Sequence, residues 1–273
     1  MTTTTTIASD LEPGTEGTPV RILAGDGGHP PPQPVTMWTR VRLELRKAVD
    51  TRSGAVLTLL ALAWAPLVLA GWVAVVGADG HDVEAVLGVG ATGVAVLLPV
   101  VTLLQVSGEW GQRSVLTTFS LDPARGKVLV AKVLAGQGLA FGIIVVCLGC
   151  SLLAAALMGI DLSASDSLLR IVAGLAAGGM LYALMGSALG ALALSTALGI
   201  GLLLVGPQLV MNLGRLTGAT WEDIGPWVEI STRLGELTGG SVANWGHLLV
   251  ACLLWIAVPL AVGYWRIRRA DVA

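Results

Sequence analysis

An all-α integral membrane protein of about six transmembrane helices is the fold class this sequence predicts, and three observations predict it. Hydrophobic residues make up 54% of the 273 positions and charged residues only 12%, about half the charge of an ordinary soluble domain. Apolar runs without one Asp, Glu, Lys or Arg recur along the chain: 53–78, 85–108, 133–160, 171–214 and 237–265. The Lys and Arg residues gather in alternate connections, as the positive-inside rule requires of a multi-pass chain.

Residues 1–35 are rich in Thr, Gly and Pro and end near Pro30-Pro31-Pro32. They have no apolar periodicity, so a disordered tail is expected. No apolar core follows an early basic cluster, which argues against a secretory signal. Residues 36–52 change character. Trp38, Val41, Leu45 and Ala48 share one face at helical spacing, while Arg40, Glu44, Arg46 and Lys47 cover much of the rest. A basic amphipathic helix with a Trp on its apolar face suits the membrane interface.

A single span needs roughly 20 residues. The run 171–214 is about twice that and is divided near Leu194-Ser195-Thr196. Six spans follow, at about 55–77, 85–107, 130–158, 168–193, 197–213 and 245–265, within a transmembrane domain of 53–269. The connection at the split carries almost no charge, so it must be short or shielded by protein. With the amphipathic helix inside, the cytoplasmic segments hold every Lys and most Arg, including Arg113, Arg125, Lys127, Lys132, Arg266, Arg268 and Arg269. The first two connections on the other side carry Asp79, Asp82 and Glu84, then Asp161 and Asp166. Both termini are then cytoplasmic. In the last extracytoplasmic connection, 215–244, Trp227, Ile230, Leu234 and Leu237 form a helical stripe after Pro226, a favoured helix-start residue. A short re-entrant or interfacial helix starting at Pro226 is expected there.

The chain carries little chemistry of its own. No phosphate-binding Gly-x-x-x-x-Gly-Lys-Ser/Thr motif occurs. Cys147-Leu-Gly-Cys150 lies in an apolar run, where two cysteines serve as small packing residues, and the three histidines lack partners at metal-ligand spacing. Ser187 in the fourth span and His247 in the sixth resemble the dyad of rhomboid-type intramembrane proteases. However, Ser187 lies about 25 Å below the surface that His247 adjoins, and Met185 and Ala188 stand where that motif has glycines. No catalytic residue is expected. Many of the 36 glycines fall within spans, as in Gly174, Gly178, Gly186 and Gly190, which predicts close helix packing. Gln105, Gln137, Gln208 and Asn212 are the main polar groups within the spans, and interhelical hydrogen bonding is their first reading.

The polar segment 109–126 between the second and third spans is longer than a tight turn needs. It presents Glu109, Thr117-Thr118, Pro123-Ala-Arg125 and, beyond it, Ala131-Lys132. Behind an amphipathic helix containing Arg42-Leu-Glu44-Leu-Arg46-Lys47, this pattern resembles the permease subunits of type-2 ABC transporters, which share the ABCG-like fold. It departs where the family has a Gly-Thr-like pair and this chain has Arg113-Ser114. The resemblance implies a connecting helix (Trp38, Arg42, Arg46, Lys47) and a cytoplasmic coupling helix that docks on an ATPase through Glu109, Arg113, Thr117, Pro123, Arg125 and Lys132. It implies two copies of an ABC ATPase subunit, a second permease subunit, and ATP and Mg held by the partner with no cofactor in this chain. It also implies export across a bacterial cytoplasmic membrane along the second and fifth spans. Gln105, Gln208 and Asn212 are candidate path residues there, and the scarcity of charge points to an apolar or amphipathic substrate. A non-transporting membrane binding or immunity protein of the same fold is the alternative, and an intramembrane enzyme ranks behind it.

Overall fold

A computed structural model describes residues 35–77, 81–111, 124–162, 167–217 and 219–269. The expected tail and most of the polar segment, including Arg113, Thr117 and Pro123, lie outside them. The described residues are helical and contain no strand. Six helices are long and apolar enough to cross a membrane: Arg52–Val76, Val83–Trp110, Arg125–Leu157, Leu168–Ala193, Thr196–Gly214 and Trp245–Arg269.

The amphipathic helix Met37–Asp50 precedes them. Thr36 caps it by accepting from Thr39 N–H, and Thr51 is extended and caps the first span by accepting from Gly54 N–H at 3.2 Å. Capping by a hydroxyl satisfies an otherwise orphaned first-turn donor. The elbow is tight, since a Cβ at Gly54 would collide with the Ala48 carbonyl.

The second and fourth spans form the centre. Within the most apolar window of the second, 56% of residues are buried, against 17% in the first and fifth. The fourth span is lined with small residues that admit its neighbours' backbones. Gly186 faces Pro99 and Gly190 faces Leu103 of the second span, while Gly263 of the sixth lies on Ala191. Thr102 Oγ1 donates to the Ala183 carbonyl at 2.6 Å. The Gln137 amide of the third span donates to the Met180 carbonyl and accepts from Leu184 N–H, both at 3.1 Å. The second span narrows to one 3₁₀ turn, Ala91–Gly93. A Cβ at Gly93 would strike the Trp64 ring and one at Gly90 the Ser151 hydroxyl, and Trp64 Nε1 donates to Thr92 Oγ1 at 3.0 Å.

The double-length apolar run breaks at Leu194, which takes a left-handed φ of 50°, and the fifth span begins at Thr196. The uncharged turn is short and is tied to the sixth span: Arg266 donates to the Leu192 carbonyl at 2.6 Å, satisfying one of the acceptors a helix end leaves open.

The connection between the fifth and sixth spans corrects the sequence reading. It holds two short helices, Ala219–Val228 and Ile230–Thr238, meeting at an extended Glu229. Pro226 sits in the last turn of the first helix and starts neither. Trp227 therefore leaves the expected stripe and packs edge-on against His247, centroids 4.4 Å apart. Ile230, Leu234 and Leu237 are buried, and their helix lies on Gly178 and Gly174 of the fourth span. Trp255, within a π-helical turn of the sixth span, donates from Nε1 to the Val228 carbonyl at 2.9 Å and ties the hairpin down.

The glycine contacts make unequal demands. Gly186→Ala, whose methyl meets Pro99 backbone, should cost about 1–3 kcal/mol and lower the thermal midpoint of the purified protein. Gly88→Ala, with nothing within 4 Å of the added carbon, should leave that midpoint unchanged.

Candidate functional site

The basic end of the bundle carries the chain's densest cluster of paired charges among the described residues. The amphipathic helix lies across the start of the third span, with Val41 packed on Ala131 and Ala135 and flanked by Met37 and Leu45. Glu44 sits one turn beyond Val41 on this covered face and is 5% exposed. An unpaired buried carboxylate would be costly, and Glu44 is doubly paired. It accepts from Lys132 of the third span at 2.7 Å and from Lys47 at 2.8 Å. Glu109, near the end of the second span, bridges the same two ammonium groups, at 2.9 Å to Lys47 and 3.0 Å to Lys132.

Lys47, Glu44, Lys132 and Glu109 thus close a ring in which charge alternates and sums to zero. Three chain segments contribute: the amphipathic helix, the stem entering the polar segment and the span leaving it. Side-chain exposure falls from 47% at Lys47 to 17% at Glu109, 8% at Lys132 and 7% at Glu44. Burial works to lower the Lys47 pKa, and the hydrogen bonds and charges of Glu44 and Glu109 outweigh it, leaving the group above the usual lysine value. A raised lysine pKa stabilises the fold below the unfolded value and loses that contribution as pH climbs through the folded one, so Lys47 stays paired at neutral pH.

The residues singled out from the sequence divide into separate groups. Glu109, Lys132 and Lys47, which the resemblance assigned to the coupling and connecting helices, meet in the ring, where the Glu109 carboxylate pairs with both lysines. Arg125 opens the third span, and Gly126 beside it packs against the Tyr264 hydroxyl. Arg42 and Arg46 are exposed, and Trp38 is 72% exposed. The candidate path residues do not form one set. Gln208 and Asn212 lie on the exposed side of the fifth span, where Asn212 donates back to the Gln208 carbonyl at 2.8 Å. Gln105 instead faces Gly136 of the third span, with both amide atoms buried and unpartnered. Ser187 donates to the Ala183 carbonyl and His247 packs on Trp227, so they form no dyad. No cluster of three or more metal-ligating side chains occurs among the described residues.

Glu44 is the residue that sequence reasoning placed wrongly, on the polar side of the helix. Its position three residues after Val41 and four before Ala48 is the signal that puts it on the covered face. The closed pairing and burial of the ring fit it to hold helices together. No protein-family model matches the chain, and no curated protein sequence matches it.

Removing one partner of a buried pair strands the other. Lys132→Met should cost about 3–5 kcal/mol, read as a loss of monodisperse protein in detergent. Lys132→Met with Glu44→Leu leaves the neutral Lys47–Glu109 pair and should recover more than about 1 kcal/mol relative to additivity.

Proposed function

We propose that this chain is the permease subunit of an ABC exporter in a bacterial cytoplasmic membrane, with both termini cytoplasmic. One observation carries the reading. The ring joins the two stems of the polar segment, through Glu109 and Lys132, and fixes both to the amphipathic helix. A segment braced in this way can pass a push from a soluble partner to the second and third spans as one rigid body. The partner is a cytoplasmic ABC ATPase, present in two copies and supplying ATP and Mg, with the segment around Arg113, Thr117, Pro123 and Arg125 as the docking surface. Glu109 and Lys132 are the brace of that surface.

A second permease subunit, identical or related, completes the complex. The poorly covered first and fifth spans leave room for it or for lipid. The substrate is apolar or amphipathic, in keeping with the absence of charge from the middle of the spans.

The test is gentle purification from the native membrane, identification of what accompanies the chain, and an assay of ATP hydrolysis. A stoichiometric ATPase should co-purify, and Arg113→Glu or Arg125→Glu should abolish its stimulation without lowering the membrane level of the chain. A well-folded chain without any ATPase would contradict the reading and favour a membrane binding or immunity protein.

A further inference from the structure

A cleft of about 440 Å³ opens at the end of the bundle opposite the ion-pair ring, between the second span, the fourth span and the short helix Ile230–Thr238. That volume falls in the range of small-molecule sites, roughly 300–1,000 Å³. Its long walls run from Glu84 to Ala95 and from Ile171 to Tyr182. Twelve residues of helix on each wall, eleven rises of about 1.5 Å, give a depth of about 16 Å, from the membrane interface to near the middle of a hydrocarbon core about 30 Å thick. The cleft exists because Gly88 and Gly235 present no side chain, while Leu234 and Leu237 hold the short helix on the fourth span.

Its polar groups are few and unequal. Glu84 is exposed at the mouth, where it accepts from Ser167, and no Lys or Arg lines the cleft. Thr92 and Thr238 line it too, but their hydroxyls are already committed to the Val89 and Gly235 carbonyls. Tyr182 lines the deep end and is 7% exposed.

We propose that this cleft binds an amphiphile with a single chain and an amine head, the ammonium at Glu84, the chain along Gly88 and Gly235, and a polar group of the ligand or a water meeting Tyr182. An anionic head would face Glu84 unfavourably. The cleft lies between the second and fourth spans, apart from Gln208 and Asn212, and the binding it predicts does not depend on the transport reading.

The test uses the full chain in phosphatidylcholine nanodiscs and dodecylamine carrying a photoreactive diazirine on its chain. Labelling should saturate, map to peptides covering 83–95 and 171–182, and be competed by dodecylamine. Gly88→Leu and Gly235→Leu fill the cleft from positions where an added carbon meets nothing, so they should fold normally and lower the labelling at least tenfold. Glu84→Gln should weaken the amine about fivefold, the scale of one exposed ion pair, and leave a dodecanol analogue unaffected. Tyr182→Phe should weaken binding while leaving thermal stability unchanged. Labelling that never saturates and spreads over the first and fifth spans, or that persists in the filled variants, would overturn the site. Equal labelling of wild type and Glu84→Gln by the amine probe would overturn the assignment of the head group.

Discussion

Two carboxylates and two ammonium groups, all at least half covered by protein, cannot be left apart at the edge of a membrane. Their closure into one ring is the constraint on which the basic end of this structure depends. Each charge has two partners of opposite sign within 3.0 Å. Desolvating four charges is expensive, and a pair is repaid only with good geometry. The backbone must therefore deliver Glu44, Lys47, Glu109 and Lys132 to one place, which fixes the amphipathic helix against the second and third spans. The polar segment between those spans is thereby held at both stems.

The rest of the bundle supports that arrangement by close approach of backbone. The fourth span offers glycine to the second span through Gly186 and Gly190, and to the short helix Ile230–Thr238 through Gly174 and Gly178. In hydrocarbon, where burial of apolar surface contributes little between helices, such contacts and a few hydrogen bonds carry association. Thr102 to Ala183 and Trp255 to Val228 are two of those bonds. The first and fifth spans touch less of the chain and present their apolar faces outward.

Much of this fold is legible in the sequence because spans obey a simple length and charge rule. The uncharged runs mark six helices, and even the break within 171–214 falls at Leu194 as its length requires. Glu44 and Pro226 show where that legibility ends. Glu44 reads as polar surface until a cation from elsewhere in the chain, Lys132, is known to lie beside it. Pro226 reads as a helix start, but the first turn of Ala219–Val228 is set upstream and the proline is accommodated near its end. The burial of Gln105 against Gly136 is as hard to read as that of Glu44, because which face of a span is covered depends on neighbours distant in sequence. The cleft is not visible in the sequence, since it arises from small residues on three elements that only packing brings together.

The central claim is that alternation around the ring, rather than any one charge, holds the amphipathic helix to the stems of the polar segment. It is tested most directly by exchanging all four charges at once, Glu44→Lys, Lys47→Glu, Glu109→Lys and Lys132→Glu, beside Lys132→Glu alone, and comparing folded yield and thermal midpoint in detergent. The single exchange puts three carboxylates around one site and should abolish folded protein, while the fourfold exchange restores alternation and should recover most of it. A single exchange that folds as well as the wild type, or a fourfold exchange no better than the single one, would contradict the account.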